Sequence, residues 1–145
     1  MSSTDPRTGM IVLEADECWR LLREADVGRL AVSFGDHLDI FPINHVVDGE
    51  TVVFKTLDGT KLSGVVHGGP VAFEVDDYDP WTGDAWSVVV KGRAVEIESA
   101  EAIRRVETLP LFAWWALPDA RWVQIRADDV SGRRFHVVAA SQPAP

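Results

Sequence analysis

The sequence predicts a mainly β domain, a small antiparallel barrel with two or three short helices. Three observations carry that expectation. Apolar residues recur at every second position in successive runs, and Gly, Asp and Pro separate the runs. Asp48-Gly49 stands between two such runs as a hairpin signal, so the chain doubles straight back. Helical segments do not alternate with strands, which argues against a wound parallel sheet.

Each element follows from its residues. Residues 1–10 hold Ser, Thr, Pro and Gly without an apolar period and read as a flexible tail. Leu13 to Glu24 reads as a helix, with Cys18, Leu21, Leu22 and Ala25 at helical spacing and acids in the first turn. Gly28 ends it or opens the next strand. Arg29–Phe34 is a strand, and Gly35-Asp36 a turn. Leu38–Val47 is a second strand, broken in the middle by Pro42, which suits an edge or a bulge. Thr51–Thr56 returns from the hairpin. Thr60–Val66 reads as one or two helical turns, stopped by Gly68-Gly69-Pro70. Val71–Val75 is a strand, and the acid-rich stretch 74–84 reads as a solvated loop. Ala85–Ile97 is the longest β run, with Gly92 at a possible bulge. Ser99 opens a capped helix that Pro110 ends. Phe112–Trp115 is an irregular aromatic segment. Trp122–Arg126 is a strand, Ser131-Gly132 a turn, and Arg134–Val138 a last strand. The domain is expected over 11–138, with a second flexible tail over 139–145.

Composition narrows the function. The chain has 145 residues, enough for one domain and a real core, and 46% hydrophobic against 26% charged residues argues against disorder. A formal net charge of −9 disfavours a nucleic-acid reader, whose affinity comes from Lys and Arg. A small anion pocket needs only one or two cations and stays open. A single cysteine, Cys18, leaves no intramolecular disulfide and no cysteine-based zinc site. The histidines are scattered, so no metal is expected. No apolar run approaches membrane-spanning length, and the polar start carries no signal-peptide pattern. A cytoplasmic protein, with neither membrane nor nucleic acid as partner, is the expectation.

The chain shows no Gly-x-Ser-x-Gly elbow, phosphate-binding Walker loop, dinucleotide glycine fingerprint or His-Glu-x-x-His. The best local signal is Phe54-Lys55-Thr56-Leu57-Asp58-Gly59-Thr60-Lys61-Leu62. Lys55, Thr56, Thr60 and Lys61 flank a glycine between a strand and a helix start, an arrangement of cations and donors that suits a phosphate. It also suits a plain solvated turn. The second signal is six tryptophans, five of them from Trp81 onward. Aromatics stack on planar cofactors, fill subunit interfaces or simply pack a core. Adjacent Trp114 and Trp115 do not both fit a core, so one is expected to meet a ligand or a partner subunit.

These pieces lie in a familiar order. Glu17-Cys18 with Leu21-Leu22, Val27-Gly28-Arg29-Leu30-Ala31, Pro42-Ile43-Asn44, Phe54-Lys55-Thr56 and Gly59-Thr60-Lys61-Leu62 come first. Val71–Asp76, Trp86–Ala94 and Gly132-Arg133-Arg134-Phe135 follow. From about Leu13 to Phe135 the chain resembles the pyridoxamine 5′-phosphate oxidase-like flavin-binding split-barrel proteins, in their short actinobacterial-type branch. The resemblance implies a six-stranded split β-barrel and a homodimer with FMN in clefts between the subunits. It implies that Lys55, Thr56, Thr60 and Lys61 hold the flavin phosphate, and that Pro42, Ile43 and Asn44 line the ring. Trp86, Ser87 and Val88 would approach the ring from the partner subunit, and Trp114 or Trp115 would cover it.

Two departures stand out. Lys55 occupies a position where the family often has Arg, losing the bidentate fork. Arg133-Arg134-Phe135-His136 does not reproduce in the expected form the C-terminal Arg-x-His substrate motif of the vitamin B6 oxidases. The implied activity is therefore a flavin-dependent oxidoreductase acting on another small organic substrate, with the flavin supplying the redox chemistry. The alternatives are a reductase on the same fold using the deazaflavin coenzyme F-420, or a non-enzymatic flavin, haem or lipid carrier.

Overall fold

The computed structural model describes residues 3–57, 69–111 and 120–137. Its elements are β1 (Ser3–Thr4), β2 (Ile11–Leu13), α1 (Ala15–Glu24), β3 (Val27–Phe34), β4 (His37–Asn44), β5 (Val46–Asp48) and β6 (Thr51–Leu57). They continue as β7 (Pro70–Tyr78), β8 (Asp84–Glu96), α2 (Ala100–Glu107) and β9 (Ala120–His136). The helical turns expected over Thr60–Val66, the aromatic segment Phe112–Trp115 and the tail 139–145 lie outside the described residues.

Six strands follow one another in the order β6-β9-β8-β7-β3-β4, every pair antiparallel. β4 returns to touch β6, but no ladder joins the two among the described residues. The six-stranded barrel is split along that seam. β2 adds to the far half of β9, and β1, inside the stretch 1–10, pairs with β2.

The main core fills the barrel. Leu30, Phe54, Phe73, Val88, Val90, Val123 and Ile125 are fully buried there. α1 closes one side with Cys18, Trp19, Leu21 and Leu22, while Arg20 on its solvent face is hydrogen-bonded to Glu17 and Glu24 at the i−3 and i+4 positions. α2 covers the opposite face of β6. Val53, Ile97, Val106 and Trp122 form a smaller core beneath it, and the Ser99 hydroxyl accepts from the Ala102 N–H at 3.1 Å as the expected cap. Among the described residues no helix is long and apolar enough to cross a membrane.

Four expectations change. The second strand is continuous through Pro42 and breaks instead at His45; β4 has one ladder partner, β3, and such a strand tolerates a proline. The hairpin loop is Gly49-Glu50, one residue later than expected, with Asp48 opposite Thr51. The strand over 71–75 runs on to Tyr78 in register with β8; Glu74 and Asp76 alternate with buried Phe73 and Val75 and so stand on its outer face. Ser131-Gly132 is no turn but lies inside β9. Gly132 is there for close packing, since a Cβ would come 2.7 Å from Cys18 Sγ and 3.2 Å from Val88 Cγ2. The β8 irregularity does fall at Gly92: the register slips between Lys91 and Gly92, and Asp128 on β9 is the extra residue.

Candidate functional site

The period of β6 sorts its side chains. Val52, Phe54 and Thr56 turn inward and are buried, whereas Val53 and Lys55 take the other face. Lys55 and Thr56, adjacent in sequence, therefore stand on opposite faces. Lys55 is half-buried at the edge of the smaller core, with Nζ 4.5 Å above the ring of Trp122, its partner in the β6–β9 ladder. Trp122 is itself fixed by its carbonyl, which accepts from the Ile97 N–H at 2.9 Å. This contact restrains a flexible side chain and keeps its charge close to an apolar surface. Thr60 and Lys61 lie outside the described residues, as do Trp114 and Trp115.

β4 supplies the next group. Ile43 is buried in the main core; Pro42 is exposed and Asn44 half-buried on the other face. The β5–β6 ladder ends at Val46 opposite Val53, and beyond the break at His45 β4 touches β6 without a ladder among the described residues. The strands that carry Pro42–Asn44 and Lys55–Thr56 therefore meet at the seam of the barrel.

The third group stays apart. Val88 is fully buried opposite Gly132, and Trp86 packs against the same core. Ser87 takes the outer face, between Asp76 on β7 and Arg133 on β9. β3 and β7 separate β4 from β8, so Asn44 and Ser87 lie three strands apart, a path of about 14 Å along the sheet. An open cleft of about 360 Å³ between β2, α1 and β9 is walled by Glu17, Arg20 and Arg134, and contains none of these residues.

One cluster was not anticipated. Arg29 on β3 donates to Glu74 at 3.1 Å and to Asp76 at 2.7 Å on β7. Desolvation, reinforced by the neighbouring Asp76 carboxyl, pushes the Glu74 pKa up to about 7, against the pull of Arg29. The i, i+2 spacing of Glu74 and Asp76 was visible, but reading the acids as a loop concealed their shared face. A carboxyl raised in the folded state favours folding below its ordinary range, and that contribution is lost as pH rises through about 7. Glu74→Gln, which keeps an acceptor for Arg29, is expected to raise Tm by roughly 1–3 °C near pH 8 and leave it unchanged near pH 5. Thermal unfolding at both pH values checks this; an equal shift at both would remove the titration from the explanation.

Residues 14–134 match the family model described as pyridoxamine 5′-phosphate oxidase. An uncharacterised protein of Mycobacterium tuberculosis is 35% identical over 131 residues, covering 87% of this chain and 86% of its own. The FAD binding protein from Mycobacterium smegmatis is 35% identical with a TM-score of 0.80, over 88% of this chain and 99% of that one. A conserved protein of unknown function from Corynebacterium diphtheriae is also 35% identical, with a TM-score of 0.75, over 90% of this chain and 99% of its own. Split-barrel topology and a family match across most of the sequence agree, and the chain belongs to the pyridoxamine 5′-phosphate oxidase family.

Proposed function

We propose that the protein is a flavin-binding oxidoreductase that works as a homodimer on a small organic substrate, with its flavin in clefts between the two copies. The observation that carries this reading is the meeting of β4, which holds Pro42–Asn44, with β6, which holds Lys55, at the barrel seam, in a chain 35% identical to an FAD binding protein. The residue types fit a flavin. Lys55 offers a restrained cation to a phosphate, Asn44 offers amide hydrogen bonds to ring heteroatoms, and Pro42 offers an apolar surface. The bound flavin supplies the redox chemistry; the chain binds, orients and shields it. Thr60 and Lys61 are assigned to the same phosphate, Ile43 and Thr56 to the walls behind it, and Trp114 or Trp115 to the cover over the ring. FMN is the first reading, because one cation-and-hydroxyl cluster suits one phosphate. FAD is the second, favoured by the mycobacterial relative.

Two features support the dimer. Asn44 and Ser87 serve one ring most simply if a second copy brings the outward-facing Ser87 of its β8; Val88, fully buried, and Trp86, packed on the core, would stand behind it. The β3–β4 hairpin also exposes a large apolar surface, with Phe34, Leu38 and Ile40 at 60%, 84% and 69% exposure. Ile40→Asp is expected to turn a dimer into a monomer in sedimentation velocity and to abolish flavin binding with it. A monomeric wild type that binds flavin would contradict the shared cleft.

A further inference from the structure

The β4–β5 break is held by a side chain that the flavin reading leaves unassigned. His45 is 3% exposed and directly follows Asn44. Its backbone N–H donates to the Asp26 carbonyl at 3.1 Å, which draws the chain to the α1–β3 corner. Its Nε2–H donates to the Leu22 carbonyl at 2.9 Å, in the last turn of α1, where carbonyls lack helical partners. That contact sets the tautomer: the proton is on Nε2 and the lone pair on Nδ1. Nδ1 has no hydrogen-bond partner among the described residues. The ring edge meets Phe73 with centroids 4.9 Å apart, and Phe73 in turn fills the space above Gly28, which pairs with Ile43. The imidazole therefore ties α1 and β7, and the backbone N–H the corner before β3, to the end of β4.

We infer that neutral His45 is a positioning residue for the flavin-lining segment, locking the strand break onto α1 so that Asn44 keeps one direction. The inference rests on the flavin reading above and adds a pH dependence to that site. Asp26 is the charged group that acts on the ring and favours its protonation. The other ionisable groups on the surrounding elements are engaged elsewhere. Arg23 reaches the Gly49 carbonyl, Glu24 binds Arg20, and Arg29 binds Glu74 and Asp76 on the outer face. Burial outweighs Asp26 and holds the imidazole below its ordinary pKa of 6.5. Protonation would place a charge and an unmatched Nδ1–H in the core. The positioning is complete above the ordinary histidine range and is lost as pH falls below it, through the lowered folded-state value.

The test is titration of wild type, His45→Gln and His45→Phe with FMN and with FAD from about pH 8 to about pH 5, with thermal unfolding alongside. Gln keeps a donor near Nε2 without titrating; Phe keeps the ring without a donor. The expected result is an acid limb in wild-type affinity that His45→Gln lacks, with Gln affinity near pH 8 within about threefold of wild type. His45→Phe, where folded, is expected to bind about tenfold more weakly. Comparison with His45→Gln cancels the titration of the FMN phosphate itself, whose second pKa is about 6. Wild-type affinity and an unaltered acid limb in His45→Gln would overturn the inference and leave flavin binding standing, even if His45→Phe fails to fold. A wild type that binds neither flavin would overturn both.

Discussion

Gly28→Ala is expected to destabilise the protein by about 3 kcal/mol and to lower Tm by roughly 10 °C. A Cβ at residue 28 would lie 2.2 Å from Phe73 Cζ, 2.6 Å from Cε2 and 2.9 Å from the Glu74 carbonyl oxygen. The ring has little freedom to retreat, being fully buried with the His45 imidazole at its edge. The carbonyl belongs to β7, which is laddered to β3 from Val71 to Glu74. Overpacking here must part the strands or force Phe73 from its rotamer. Because Gly28 also pairs with Ile43, flavin affinity should fall along with stability. Urea and thermal unfolding measure the first effect. Adding Phe73→Leu to Gly28→Ala is expected to recover part of the loss, since the two residues compete for one volume. A single-mutant change under about 0.5 kcal/mol would contradict the described β3–β7 packing.

Lys55→Ala is expected to weaken flavin binding ten- to a hundredfold. The loss is that of one charge-assisted contact to phosphate, about 1.5–3 kcal/mol. Stability should change by only about 0.5–1 kcal/mol, the size of a partly exposed cation–π contact with Trp122. This separation of affinity from stability distinguishes a ligand contact from a packing role. Lys55→Arg keeps the charge and adds a fork, so its affinity should equal or exceed that of wild type. Lys61→Ala should resemble Lys55→Ala if both face one phosphate. Unchanged affinity for FMN and FAD in Lys55→Ala would remove β6 from the site.

What the sequence revealed depended on how local each signal is. Alternation alone located β3, β6 and β8, because each has an inner face of Leu, Val or Phe and a more polar outer one. The helix Ala100–Glu107 was legible through Ser99, a cap that acts within three residues. The errors arose where tertiary contacts outweigh local preference. Gly132 resembles a turn residue, yet its role is to let Cys18 approach β9. Asp76 and Asp77 resemble loop residues, yet Asp76 is matched by Arg29 from a neighbouring strand 47 residues away in sequence. His45 gave no signal at all, since its partners, Leu22, Asp26 and Phe73, are assembled only by the fold. The cation cluster was read from residue type alone. Strand period would already have placed Lys55 and Thr56 on opposite faces, as observed.

The most direct test of the flavin claim is a visible spectrum of the purified protein, followed by separate titrations with FMN, FAD and a deazaflavin coenzyme. The account predicts a flavin band that copurifies, or saturable binding of FMN or FAD with one flavin per chain, weakened in Lys55→Ala. Binding of the deazaflavin alone, or of none of the three, would contradict it.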